Sequence, residues 1–83
     1  MSMDVSAVDL FCGAGGLTYG LEQTGISVET GFDNDPDCRY AYESNSDADF
    51  RSTNVETLAR DPEGIRRQYP WNTDLKVLAE CSQ

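Results

Sequence analysis

Short apolar runs alternate with stretches of helical spacing along this chain. The runs predict four strands, at residues 7–11, 28–32, 50–53 and 74–79, and the first run ends at a cluster of glycines. In the second run, alternate residues are predicted to share one face of the strand: Val28, Thr30 and Phe32. The first run has the character of a buried strand.

Residues that are typical of helix starts and helix ends lie between the apolar runs. The first helix follows the glycine cluster and is expected to end at Gly25. Asp35 and Pro36 predict a second helix start, because an acceptor side chain at the N-cap and a proline at the first helical position both favour initiation. A short helix is predicted at 55–60, and residues 61–64 are expected to interrupt the helical pattern.

Strands that alternate with helices imply βαβ units and a parallel sheet with helices on its faces. We therefore expect an α/β fold, a partial doubly wound (Rossmann-like) domain with a parallel sheet of about four strands. Eighty-three residues form at most one small domain, so residues 1–83 are treated as one unit. Because four strands are about half of a doubly wound sheet, we expect the chain to be the N-terminal part of a longer domain.

Composition narrows the chemistry that the chain can perform. Histidine is absent, and the three cysteines, Cys12, Cys38 and Cys81, are far apart in the sequence. The residues therefore argue against a structural zinc site and against a Ser-His-Asp or Cys-His catalytic arrangement. No apolar run approaches the length of a membrane-spanning helix, so we expect a cytoplasmic protein with no membrane partner and no metal.

The charge is strongly negative, with 15 acidic residues against six basic ones and a net charge of −9. Two interpretations stay open: an acidic and therefore soluble chain, or a halophilic adaptation to high intracellular salt. In both cases this part should repel DNA, since phosphate contacts need clustered lysine and arginine. A DNA-binding surface is expected only in other parts of a longer protein.

The glycine cluster at residues 13–16 lies between a predicted strand and a predicted helix, which is the setting of a nucleotide-binding turn. Glycines let a ligand approach the backbone, and the helix N-terminus offers unpaired N–H groups to an anion. Asp33, after the second strand, is near the spacing of an acid that binds ribose hydroxyls, although it can equally be a turn or capping residue. Thr18 stands where a dinucleotide fingerprint has glycine or alanine. The residues therefore predict a nucleoside-containing cofactor.

Two segments resemble a known family. Residues 9–17, Asp-Leu-Phe-Cys-Gly-Ala-Gly-Gly-Leu, resemble the opening signature of the cytosine-5 DNA methyltransferases. Residues 31–36, Gly-Phe-Asp-Asn-Asp-Pro, resemble the second segment of that family, and the likeness is good from about Val5 to Asn45. It implies a DNA (cytosine-5-)-methyltransferase, which transfers a methyl group from S-adenosylmethionine to C5 of cytosine in DNA, as in restriction–modification systems.

The resemblance also implies which residues contact S-adenosylmethionine. Phe11 would pack against the adenosine, the loop backbone would face the methionine part, and Asp33 would bind the ribose hydroxyls. The implied loop residues are Gly13, Ala14, Gly15, Gly16 and Leu17.

The adenine base has two further implied contacts. Asn34 takes a position at which many relatives place a residue that covers the adenine face. For the adenine edge, Asn54-Val55 is the preferred match and Asp49-Phe50 is the rival. Asparagine can accept a hydrogen bond from the exocyclic amine, though more weakly than a carboxylate.

In the family, a cysteine in a Pro-Cys-Gln loop after the fourth strand attacks C6 of a flipped-out cytosine. Cys81 lies near that place but lacks the preceding proline, so it is either the counterpart of the nucleophile or a structural residue. We assign no catalytic residue and expect this chain to be inactive alone. The alternatives are a non-catalytic interaction module and the nucleotide-binding half-domain of an oxidoreductase.

Overall fold

The computed structural model describes residues 4–80, which form one parallel sheet flanked by short helices. Its strands are β1 (Val5–Leu10), β2 (Ser27–Asp33), β3 (Asp49–Ser52) and β4 (Leu75–Glu80). Their order across the sheet is β3-β2-β1-β4, and every pairing is parallel. The predicted α/β fold with a four-stranded parallel sheet is confirmed.

Helices connect successive strands. The first, α1 (Gly16–Gln23), follows the glycine cluster, and a 3-10 turn at Pro36–Cys38 leads into α2 (Arg39–Asn45). Two more short helices, α3 (Val55–Ala59) and α4 (Pro62–Arg66), lie between β3 and β4. No helix within residues 4–80 is long and apolar enough to cross a membrane.

The expectation that residues 61–64 interrupt the helical pattern is wrong. Helix α4 begins at Pro62, and the Asp61 side chain accepts a hydrogen bond from the Gly64 N–H at 3.1 Å. Asp61-Pro62 is therefore an N-cap followed by proline at the first helical position, the same start signal that Asp35 and Pro36 provide before the 3-10 turn. Proline is disruptive in a helix interior and is tolerated in the first turn.

The prediction that Val28 shares one face of β2 with Thr30 and Phe32 is also wrong, because the pairing of β1 with β2 is irregular. Ala7 pairs with Val28, but the next residue, Val8, pairs with Thr30, so β2 has one extra residue at this point. Side chains alternate along a strand, and one extra residue moves those before it to the other face. Val28 accordingly packs on the opposite side of the sheet from Phe32.

Two apolar clusters, one on each face of the sheet, form the core. The first cluster contains Ala7, Cys12, Val28, Tyr42, Ala48 and Phe50. The second cluster contains Val8, Leu10, Phe32, Val55 and Tyr69. Strand β1 contributes to both, and five of its six residues are buried, so it is the centre of the molecule.

Strand β4 lies at one edge of the sheet and pairs with β1 in continuous register over all six residues of each strand. Two further hydrogen bonds extend this pairing: the Asp4 N–H donates to Asp74 Oδ2 at 2.9 Å, and the Asp74 N–H donates to the Asp4 carbonyl at 2.8 Å. Leu75 and Leu78 of β4 are each 49% exposed. Full backbone pairing therefore leaves much of this strand's apolar surface uncovered.

Candidate cofactor site at the glycine loop

The loop that joins β1 to α1 has an unusual backbone. Phe11, Gly13 and Gly15 all have positive φ angles, of 57°, 52° and 97°. Glycine adopts this left-handed conformation without steric cost, whereas Phe11 is held there at a cost of about 1–3 kcal/mol. The Gly15 N–H donates to the Cys12 carbonyl at 2.9 Å and closes the turn. The loop therefore folds tightly over the carboxyl ends of β1 and β2.

Asp33 meets this loop directly. Its Oδ2 accepts a hydrogen bond from the Gly13 N–H at 2.9 Å, and its Oδ1 accepts one from the Asp35 N–H at 3.0 Å. Each carboxylate oxygen has a second lone pair, so both can accept one further hydrogen bond. The structure thus brings together the glycine loop and the acid that the sequence predicted, and Asp33 is half-buried at their junction.

Beneath the loop lies a buried polar network that the sequence analysis missed. The Thr18 hydroxyl donates to Asp9 Oδ2 at 2.5 Å, and the Tyr42 hydroxyl lies 2.8 Å from Thr18 Oγ1. All three side chains are fully buried. Since the Thr18 proton is used by Asp9, the Tyr42 hydroxyl donates to Thr18. The network ties β1, α1 and α2 together under the glycine loop.

Tyr42 also fills space that a larger loop or strand residue would need. A Cβ added at Gly31 would come 2.3 Å from Tyr42 Cζ, and one added at Gly15 would come 3.0 Å from its Cδ1. The ring is therefore packed between β2 and the glycine loop. Asn45, the last residue of α2, donates a hydrogen bond from Nδ2 to the Ala14 carbonyl at 3.3 Å. Helix α2 therefore supports the loop through two residues, Tyr42 and Asn45.

The second oxygen of Asp9, Oδ1, is buried and has no hydrogen-bond partner within residues 4–80. Burial raises the pKa of this carboxyl, the hydrogen bond from Thr18 opposes the rise, and the nearby charge of Asp33 adds to it. Two carboxyl groups therefore converge below and beside the loop. Of the two, only the Asp33 carboxylate is partly exposed, and it favours a ligand that carries positive charge.

The residues matched to the adenine contacts follow the carboxyl ends of β2 and β3, next to the glycine loop. Asn34 Oδ1 accepts from the Val55 N–H at 3.1 Å, and Asn54 Oδ1 accepts from the Thr57 N–H at 3.0 Å as the N-cap of α3. The Val55 side chain is completely buried in the second cluster. Asn54 follows the carboxyl end of β3, whereas the rival Asp49 begins that strand at its other end. The position of Asn54 thus suits the site better.

The remaining implied residues surround the loop. Phe11 is partly buried and packs against the second cluster. Ala14 and Gly16 are exposed, and Leu17 is 38% exposed at the start of α1. The first N–H groups of α1 have no carbonyl partner within the helix.

No thiol in the described part of the chain is prepared for nucleophilic attack. Burial, followed by the charges of Asp9 and Asp33, raises the pKa of Cys12 to about 12. The Cys38 pKa is also raised. Cys81 lies outside the described residues. Within residues 4–80 there is also no group of three or more His, Cys, Asp or Glu that could hold a metal ion.

A glycine loop between a strand and a helix, joined to an acid after the next strand, defines the class of α/β domains that bind nucleoside-containing cofactors. The model of the C-5 cytosine-specific DNA methylase family matches residues 5–75, and the chain belongs to that family.

Among curated proteins, the chain is similar to a Type II methylase, M.HgiDII of Herpetosiphon aurantiacus. The two are 42% identical over 77 residues, which cover 93% of this chain and 21% of that methylase. The chain therefore spans about a fifth of the length of this relative. No solved structure gives a significant match.

Proposed function

We propose that this chain forms the part of a cytosine-5 DNA methylase that binds S-adenosylmethionine. The observation that supports the proposal is the hydrogen bond from the Gly13 N–H to the Asp33 carboxylate, which joins the loop to the acid. S-adenosylmethionine carries a sulfonium and an ammonium group, and it supplies an electrophilic methyl group when bound. The half-buried carboxylate of Asp33 suits such a cation.

The residues of the loop have distinct roles in this proposal. Asp33 offers one free lone pair on each oxygen to the two ribose hydroxyls. The backbone N–H groups of Ala14, Gly16 and Leu17 face the carboxylate of the methionine part, since a helix N-terminus favours an anion. Phe11 lies against the adenosine, and Asn34 and Asn54-Val55 border the adenine. Asn54 would share its carbonyl oxygen between its capping bond and the base.

Transfer of the methyl group to DNA is proposed for the whole protein, in which parts outside this chain would hold the DNA. The net charge of −9 opposes binding of DNA here. Within residues 4–80, both cysteines have raised pKa values, so neither favours the thiolate that attacks cytosine. We expect this chain alone to transfer no label from tritiated S-adenosylmethionine to DNA of mixed sequence. Transfer abolished by Cys81→Ser would contradict that expectation.

Titration calorimetry with S-adenosylhomocysteine, S-adenosylmethionine and NAD tests the cofactor. We expect binding of the first two and not of NAD, and a loss of about tenfold or more in affinity for Asp33→Asn, which is about 1.4 kcal/mol. Asp37→Asn is the matched control because it removes the same charge four residues away, in the 3-10 turn at Pro36–Cys38. Preference for NAD, or an equal loss in both variants, would refute the assignment.

A further inference from the structure

A cavity of 380 Å³ opens where β3 forms the edge of the sheet, on the side opposite β4. Its polar lining consists of Arg39, Arg51, Ser52, Thr53 and Gln68, above an apolar floor from β2 and α3. None of the residues proposed to bind the cofactor lines it. The cavity is therefore separate from the glycine loop.

The charge of the lining is opposite to that of the molecule. The chain has six basic residues against 15 acidic ones, yet two arginines and no carboxylate line this cavity. Arg51 forms no ion pair within residues 4–80, where the ion pairs are Arg39 with Glu43 and Arg66 with Glu63. A positive pocket in an acidic chain has no role in the cofactor site described above.

Contacts with Phe50 and Glu43 hold the Arg39 side chain in place, but they do not neutralise its positive charge fully. Its guanidinium carbon lies 5.3 Å from the centroid of the Phe50 ring, and its Nη1 lies 3.6 Å from Glu43 Oε2. Both members of this pair are about half exposed, so the attraction is weak. Glu43 also accepts the Phe50 N–H at 3.3 Å. The five N–H donors of a guanidinium therefore leave Arg39 able to bind a further acceptor.

The donors around the cavity match one kind of ligand. Guanidinium groups bind phosphate oxygens through paired hydrogen bonds, and the Ser52 and Thr53 hydroxyls can add neutral donors. Gln68 already donates from Nε2 to the Gly64 carbonyl at 3.0 Å, so it can contribute one more N–H. We propose that this cavity binds the phosphate group of a small phosphoester.

Titration of the isotope-labelled chain with inorganic phosphate, at constant ionic strength, tests this proposal by NMR. We expect saturable shifts of the amide signals of Arg51, Ser52 and Thr53. Arg39→Gln and Arg51→Gln should each weaken binding by about tenfold, because each removes a charge-assisted contact. Lys76→Gln is the matched control, since it removes one positive charge from β4 at the opposite edge and should leave the affinity unchanged.

A second measurement compares melting temperatures in phosphate and in chloride at equal ionic strength. A ligand that binds the folded state raises the melting temperature. We expect phosphate to raise it in the wild-type chain and in Lys76→Gln, and not in the two arginine variants. The same shift in all four proteins, or no saturable NMR shift at tens of millimolar phosphate, would overturn the proposal. The arginines would then only protect an edge strand from pairing with other chains.

A short DNA duplex, added at matched phosphate concentration, tests whether the ligand is a DNA backbone instead of a small phosphoester. Shifts of the same amides at lower concentrations than with inorganic phosphate would identify the DNA backbone. Shifts with inorganic phosphate alone would identify a small phosphoester. These results do not depend on S-adenosylmethionine, so the proposal for the cavity and the proposal for the cofactor site can be refuted independently.

Discussion

Strands β1 and β4 are hydrogen-bonded neighbours with very different surroundings. Five of the six residues of β1 are buried, whereas none of the six residues of β4 is. The difference does not come from backbone pairing, which is continuous between the two strands. It comes from side-chain cover, because β1 is packed on both faces by the two clusters. Backbone pairing alone is therefore a poor guide to how much a strand stabilises the fold.

The candidate cofactor site lies in the well-packed half. Its loop rests on Tyr42, Thr18 and Asp9, which are all fully buried, so the site is supported by the core of the molecule. A ligand-binding loop held in this way changes little on binding, which reduces the entropy that binding would cost.

Leucine truncation on the two strands measures the contrast directly. Leu10→Ala should lower the free energy of unfolding by about 3 kcal/mol, because Leu10 is 1% exposed and its loss leaves a cavity. Leu78→Ala, on β4, removes the same atoms from a side chain that is 49% exposed and should cost less than about 1.5 kcal/mol. Urea unfolding of both variants gives the values. Equal losses would show that β4 is as well packed as β1.

Adding one methyl group tests the packing of Tyr42. Gly31→Ala should destabilise the chain by about 2–3 kcal/mol, since the new Cβ would come 2.3 Å from Tyr42 Cζ and the ring must move. Gly20→Ala is the matched control: no atom lies within 4 Å of its added Cβ, and alanine should stabilise α1 by about 0.5–1 kcal/mol. Circular dichroism melts would compare the two. A tolerated Gly31→Ala would contradict the described position of the ring.

The buried carboxyl predicts a dependence on pH. Because the folded-state pKa of Asp9 is raised above its ordinary value of 3.8, the native state binds more protons at this site than the unfolded chain. The stability contributed by Asp9 is therefore full below the ordinary pKa and is lost as the pH rises through the folded pKa. The stability of wild type relative to Asp9→Asn, from urea unfolding, should fall as the pH rises from the ordinary pKa of 3.8 through the folded pKa. A relative stability that rises over this range would contradict the burial of Asp9.

A change in salt concentration should have the smallest effect on the stability of the fold, and it should act through the charge of the whole chain. If the net charge of −9 reflects adaptation to salt, self-repulsion destabilises the chain when the Debye length is about 30 Å, at 0.01 M, and much less when it is about 3 Å, at 1 M. A gain of about 1 kcal/mol corresponds to a rise of about 4–8 °C in melting temperature for a chain of this size. A melting curve unchanged between dilute and molar KCl would favour the plain acidic interpretation.

Features encoded by neighbouring residues were predicted well from the sequence. The glycine loop, the capped start at Asp35 and the four strands each depend on a few adjacent positions. The meeting of the loop with Asp33 follows from the parallel sheet, because the carboxyl ends of adjacent strands lie together.

Features that depend on distant packing were missed. In the Asp9–Thr18–Tyr42 network, Thr18 bonds to two residues that lie 9 and 24 positions away in the sequence. The network forms only when α1 and α2 are correctly placed against the sheet. The extra residue in β2 likewise has no marker in the sequence, and it reversed the predicted face of Val28. The start of α4 did have a marker, since Asp61 and Pro62 repeat the earlier capping pair. The interpretation of that pair as a break was the error.

The pairing of β1 with β4 also constrains how the chain can be made. The hydrogen bonds between Asp4 and Asp74 join residues 70 positions apart. At about 5–20 residues per second, a ribosome needs roughly 4–14 s to synthesise that interval. During this time β1 and β2 can pair, but the edge of β1 that β4 will cover stays open. Each nascent chain therefore passes through a state in which one edge of β1 has unpaired backbone groups, and pairing with a neighbouring polysome chain competes with completion of its own sheet.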